Sequence, residues 1–229
     1  MYNFAENPNA LNFYEATVRV LSGFPIHRVD ALFFHGRSYG DDTGLFELAS
    51  QLDHQNLVRF IAIFGNDGER DNSTIPLEAN PGKIYYFDRL REFGVAPERI
   101  HFNAPGDTNT RLENENFLTL SREQGWTSGV IITQPHQLLR AMLGMINAME
   151  KRSYWMEIYT TAPRFSPWLE VVKGSQGLEL KPRVEHIKDE FNKIIEYMGK
   201  GDLASFESLG KYLEKRERGS LRLTRHIVS

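Results

Sequence analysis

Five short apolar runs, each closed by a polar or glycine-bearing turn, constrain this chain more than any other feature. They are 29–34 (VDALFF), 57–64 (LVRFIAIF), 99–102 (RIHF), 130–133 (VIIT) and 154–159 (YWMEIY). Short, nearly continuous apolar runs bounded by turn residues suit strands buried on both faces. Between them 43–55, 81–93, 110–124 and 135–149 read as helices, with Gly94 and Gly125 as stops. In 135–149, Leu138, Met142, Met145, Ile146 and Met149 line up as one apolar stripe, which reads as core. An amphipathic helix is expected over 8–21, stopped by Ser22–Gly23–Phe24–Pro25. Strands alternating with helices indicate βαβ units, hence a doubly wound α/β protein with a mostly parallel sheet of about five strands. The stretch holding Pro163 and Pro167 reads as irregular, and a C-terminal helical pair closes the chain within 182–218. The first helix of that pair places Val184, Ile187, Phe191, Ile194, Ile195 and Met198 on one face, and Gly199–Lys200–Gly201 separates it from the second. The expectation is one domain over 1–229, with its core over about 29–160.

Composition narrows the function classes. A chain of 229 residues is long enough to bury a substantial core without covalent or metal staples. A formal charge of −3 argues against electrostatically driven nucleic-acid binding. With no cysteine, disulfides, zinc–thiolate sites and thiol nucleophiles are excluded. No run approaches the roughly 18 apolar residues of a membrane span. Residues 1–12 are polar and acidic rather than basic and then apolar, so no secretory leader is read there. The expected setting is cytoplasmic, with the oligomeric state open. The basic end, 211–225, is interleaved with Glu214 and Glu217 and reads as a solvated helix face and tail.

In open α/β sheets, ligands bind outside the carboxyl ends of the strands, where strand order reverses. The first run delivers His35, Gly36, Arg37, Ser38, Asp41 and Asp42; the second Gly65, Asn66, Asp67 and Glu69, with Glu78 later; the third Asp107, Thr108, Asn109 and Thr110; the fourth Thr133, Gln134 and His136. Thr110–Arg111–Leu112–Glu113 has the form of a capping box, and a capped helix start beside a strand end is also a seat for an anion. Asn114 is not needed by such a cap. His136 and Arg140 are four apart on one helix face, His136 at the amino end, where the positive pole favours neutral imidazole. Arg140 suits a phosphate or carboxylate. The plainer reading makes His136 a hydrated loop-edge residue and Arg140 a surface charge. Asp41 and Asp42 read first as turn formers, and as cation ligands with Asp67 or Glu69 only second, which leaves a divalent metal open and unassigned. The first loop matches neither a dinucleotide fingerprint nor a phosphate-binding P-loop.

Two of these segments, Thr110–Arg111–Leu112–Glu113–Asn114 and Thr133–Gln134–Pro135–His136–Gln137–Leu138–Leu139–Arg140–Ala141, stand one helix and one strand apart. In that order and spacing the chain resembles the YdcF-like family, with its SanA-like and ElyC-like members, over roughly 29–159. The first loop departs from the family in lacking consecutive glycines, and the C-terminal helical pair lies outside the resemblance. The resemblance implies a three-layer Rossmann-like fold, a pocket lined by the two motifs, links to bacterial envelope physiology and nucleotide-type ligands such as S-adenosylmethionine. It implies no settled reaction.

Two readings follow. In one, the chain is an enzyme of hydrolase or group-transfer type acting on a phosphate-bearing or nucleotide-linked small molecule, with His136, Glu113 and Asp67 in catalytic roles. Gly36, Arg37, Ser38, Gly65, Asn66, Thr110, Asn114, Thr133 and Arg140 would bind the ligand. In the other, the same residues recognise a nucleotide or S-adenosylmethionine without turnover, and the terminal helices contact a partner.

Overall fold

The first apolar run becomes β1 (Val29–Phe34), and its side chains leave alternately for two different cores. The computed structural model describes residues 8–38, 40–65, 81–102, 110–174 and 179–221. After α1 (Pro8–Leu21) and β1, the chain forms α2 (Leu45–His54), β2 (Val58–Ile63), α3 (Gly82–Glu92), β3 (Ile100–Phe102), α4 (Thr110–Gln124), β4 (Ser128–Ile132), α5 (Pro135–Arg152) and β5 (Glu157–Thr161). These strands form one five-stranded sheet in the order β3-β2-β1-β4-β5, parallel at every pairing. That is a Rossmann-like order, with its reversal between β1 and β4.

Ala31 and Phe33 of β1, Ala62 of β2 and Ile131 of β4 pack against α1, α4, α5 and the last helix, α7 (Phe206–Glu217). Leu32, Phe34, Ile61, Ile63, Val130 and Ile132 pack on the opposite face against α2 and α3. Both faces are covered, which is why these strands read as continuous apolar runs rather than alternating ones. At the amino end of the sheet, Asp30 Oδ2 accepts from the backbone N–H of Thr127 at 2.8 Å and of Ser128 at 3.0 Å, locking β1 to β4.

The structure corrects the sequence reading after β4. Helix α5 runs on to Arg152, ended by Ser153 at φ 48°, so β5 starts at Glu157 instead of Tyr154. Tyr154 is buried beneath the sheet, its hydroxyl donating to the Trp126 carbonyl at 2.8 Å. The stretch expected to be irregular holds an antiparallel hairpin, β6 (Val171–Lys173) with β7 (Leu180–Pro182). Strands of three residues are too short to show a period. The helical pair follows as α6 (His186–Gly199) and α7. On α6, Ile194 is buried, whereas Val184 just before it and Ile187, Phe191 and Ile195 on it face outward. The apolar face read over 184–198 is therefore divided: Ile194 is buried and Met198 packs on the core, while the other four are exposed. Among the described residues no helix is long and apolar enough to cross a membrane.

Candidate functional site

At the reversal point β1 ends in His35–Gly36–Arg37–Ser38, and β4 ends in Thr133–Gln134 before Pro135 opens α5. The His35 N–H donates to the Ile132 carbonyl at 3.1 Å, so the two strand ends leave the sheet together. The first loop is fixed from several sides. Gln134 donates from Nε2 to the carbonyls of Asp41 at 2.7 Å and Thr43 at 3.0 Å, and the Ser38 hydroxyl donates to the Lys173 carbonyl on β6 at 2.6 Å. The Tyr86 hydroxyl on α3 donates to the Arg37 carbonyl at 2.9 Å. Gly36 lies so close to this ring that a Cβ there would come within 2.3 Å of it.

A buried cluster of charges fills the space above these strand ends. Arg37 Nε donates to Asp41 Oδ2 at 2.8 Å, and Arg183 Nε donates to Asp41 Oδ1 at 2.9 Å. Asp41 and Arg183 are fully buried. Asp41 is thus not the simple turn former of the sequence reading, because both its oxygens are taken by guanidinium groups. Burial pushes its carboxyl up, but Arg37, His136 and the hydrogen bonds from Arg37 and Arg183 outweigh burial and hold it below the usual carboxylate range.

His136 has a fully buried side chain in the first turn of α5, with Nε2 at 3.8 Å from Asp41 Oδ2. Neither ring nitrogen has a hydrogen-bond partner among the described residues. Burial, then the Arg37 charge, lowers its pKa to about 4, with Asp41 and Glu190 pulling the other way. Burial is thus the chief reason the ring stays neutral, where the sequence reading looked to the helix pole. The His186 ring of α6 stacks at 6.3 Å and the Trp168 ring meets it edge-on at 6.3 Å. His35 Nδ1 lies 3.5 Å from Glu113 Oε2, and its Nε2 has no hydrogen-bond partner among the described residues. Burial, then Arg140 and Arg37, brings the His35 pKa down to about 3.

Arg140 is buried rather than a surface charge, paired through Nε with Glu190 of α6, and its Nη1 donates to Thr110 Oγ1 at 3.4 Å. Burial pushes the Glu190 carboxyl up, and Arg140 followed by Lys193 outweighs this, bringing it to about 2. One turn along both helices, Asn114 is buried against Gly144, and its two amide atoms lack partners among the described residues. Thr133 donates from Oγ1 to Gln137 Oε1 at 3.1 Å, and Gly65 faces Glu113, whose Oε1 would lie 3.5 Å from a Cβ there.

The strand-end candidates His35, Gly36, Arg37, Ser38, Gly65, Thr110, Glu113, Thr133, His136 and Arg140 therefore gather around one end of the sheet. Asn114 sits a turn below, between α4 and α5. Asn66 and Asp67 lie outside the described residues. Among the described residues no three His, Cys, Asp or Glu side chains are grouped to hold a metal ion. Arg183, His186 and Glu190 were missed by the sequence reading. Their signal was present: they recur at i, i+3 and i+7, a helical spacing that the sequence reading did not weigh.

The arrangement offers fixed positive charge from Arg37 and Arg140, two neutral imidazoles with free ring nitrogens among the described partners, and carboxylates on His35 and Arg140. Chemically it can receive an anion and exchange a proton with a neighbouring oxygen.

No protein-family model matches this chain, and no curated protein matches it. Among solved structures it is similar to an Escherichia coli tRNA N6-threonylcarbamoyladenosine dehydratase, at 11% identity over 90% of each chain with a TM-score of 0.34. The same enzyme in complex with AMP is similar at 12% identity over 91% of each chain, with a TM-score of 0.32.

Proposed function

We propose that this is a cytoplasmic, YdcF-like protein that binds a phosphate-bearing or nucleotide-like small molecule at the carboxyl ends of β1 and β4 and acts on it by hydrolysis or group transfer. The observation that carries this reading is the buried His136 ring, set beside Arg37 and Asp41 with neither nitrogen hydrogen-bonded among the described residues. Buried polar atoms are rarely left without partners unless a ligand or a chemical role accounts for them. In this reading Arg37 and Arg140 hold the anionic group, with the ligand competing against Glu190 for Arg140. Neutral His136 accepts a proton from the attacking water or hydroxyl, and Glu113 orients His35 at the other side. An incoming anion raises the proton affinity of His136 by the same Coulombic reasoning by which Arg37 lowers it.

A second reading has one observation in its favour. A pKa near 4 makes His136 a weak base in the unliganded protein, which suits recognition of a nucleotide or S-adenosylmethionine without turnover. Thermal-shift titration of the wild type and His136→Ala with AMP, sugar nucleotides, phosphosugars and S-adenosylmethionine, followed by turnover assays on any ligand that stabilises, separates the two. The enzyme reading expects turnover to fall by at least about 100-fold in His136→Ala, with stabilisation by the ligand retained. Stabilisation with no turnover in the wild type supports the sensor. No stabilisation by any of these ligands counts against both.

A further inference from the structure

Helix α6 buries polar residues and exposes apolar ones. Toward the body it presents His186, Glu190 and Ile194, while Ile187, Phe191 and Ile195 face outward, together with Val184 just before the helix. Beside it α1 buries Ala16 and Val20 and turns Leu11, Tyr14, Val18 and Leu21 outward. The two helices meet where Phe13 of α1 packs edge-on against Phe191, ring centroids 5.5 Å apart. Single exposed apolar side chains need no explanation, but two helices in contact that each expose an apolar stripe offer more apolar surface than scattered residues do.

The eight outward residues are between 41 and 67% exposed. At about 200 Å² for a large side chain, they offer roughly 800 Å² of accessible surface, which is the share one partner gives to a stable protein interface. The exposed charges along α6 are of both signs, with Glu185, Lys188, Glu196 and Lys200 in alternation. On α1 Glu15 and Arg19 pair with each other at 2.8 Å. A membrane-binding face would carry a Lys/Arg rim. A rim of balanced sign instead complements its own copy across a twofold axis.

We propose that the outer face of α1 and α6 is the interface of a homodimer of this chain. The partner copy would bury the exposed apolar residues of α6 and so hold its inner face, with Glu190 and His186, against Arg140 and His136. The proposal does not depend on what the site binds.

Sedimentation velocity on the full chain tests it, with Ile187→Asp and Val18→Asp as interface variants and Ile26→Asp, 89% exposed and off the patch, as control. The wild type and Ile26→Asp are expected at twice 26.4 kDa. Each interface variant is expected to raise the dimer dissociation constant at least about 100-fold, since an unpaired charge would be buried. All three substituted positions lie on exposed surface, so circular dichroism is expected to be the same for every variant. A wild type that stays monomeric at about 100 μM, well above typical interface affinities, overturns the proposal. So does a dimer indifferent to both substitutions, which places the interface elsewhere, or a monomer that instead binds anionic phospholipid vesicles through this face.

Discussion

Two imidazoles, His35 and His136, tie the stability of this protein to pH. Each has an ordinary value of 6.5, and in the folded chain protonation waits until about 3 for His35 and about 4 for His136. Between those values the unfolded chain binds more protons than the folded one. Stability is therefore full above the unfolded value and is lost as pH falls toward the folded ones. The loss is roughly 3 kcal/mol or more per imidazole. Glu190 acts in the same direction at lower pH, its stabilisation being present above 4.5 and lost as pH falls through about 2. Urea unfolding at a series of pH values is expected to show a slope near pH 5 of about 1.4 kcal/mol per pH unit for each imidazole. His136→Gln is expected to remove one such contribution, and an unchanged slope would contradict a buried neutral ring. The positions of His136, Arg140 and Glu113 were readable because strand ends of an α/β sheet converge. Their electrostatic partners were not, since Asp41 looks like a turn acid in sequence and Glu190 is distant along the chain.

At the scale of elements, the contact of α4 with α5 sets the site. Thr110 meets Arg140, and one turn on Asn114 meets Gly144, where a Cβ would come within 2.7 Å of Asn114 Nδ2. Gly144→Ala is expected to destabilise by about 1–2 kcal/mol although alanine favours a helix by about 1 kcal/mol, because the amide must move. Asn114→Ala removes the obstructing amide and is expected to make the double variant less destabilised than the sum of the singles, with a coupling of at least about 0.5 kcal/mol in a denaturant cycle. Additive effects would mean that the two helices do not meet as described. Periodicity placed α1 and α4 at their observed bounds, since each has a turn or glycine stop. It set the start of β5 three residues early, because α5 runs past its last methionine, and it missed the β6–β7 hairpin, whose strands are short. It grouped the apolar residues of α6 on one face but did not foresee the inward turn of Arg183, His186 and Glu190, which meet Asp41, the Val172 carbonyl and Arg140.

For the molecule as a whole, the segment after β5 completes the charge balance of the sheet end. Arg183 meets Asp41, the Glu190 carboxylate meets Arg140, and the Lys173 carbonyl accepts from Ser38. A chain ending after residue 161 leaves Arg140 and Asp41 without these partners, and breaking a buried pair destabilises by about 3–5 kcal/mol. The truncated chain is expected to lose its cooperative thermal transition, as followed by circular dichroism; a wild-type melting curve would show that the terminal segment is only appended.

Arg183 reaches Asp41 across 142 positions of sequence. On the ribosome, Asp41 is made well before its second cation, so the nascent chain has Arg37 alone to offset that acid until Arg183 follows. The buried pairing of Asp41 with both guanidinium groups can therefore close only once Arg183 has been synthesised, whatever portion of the sheet has already assembled.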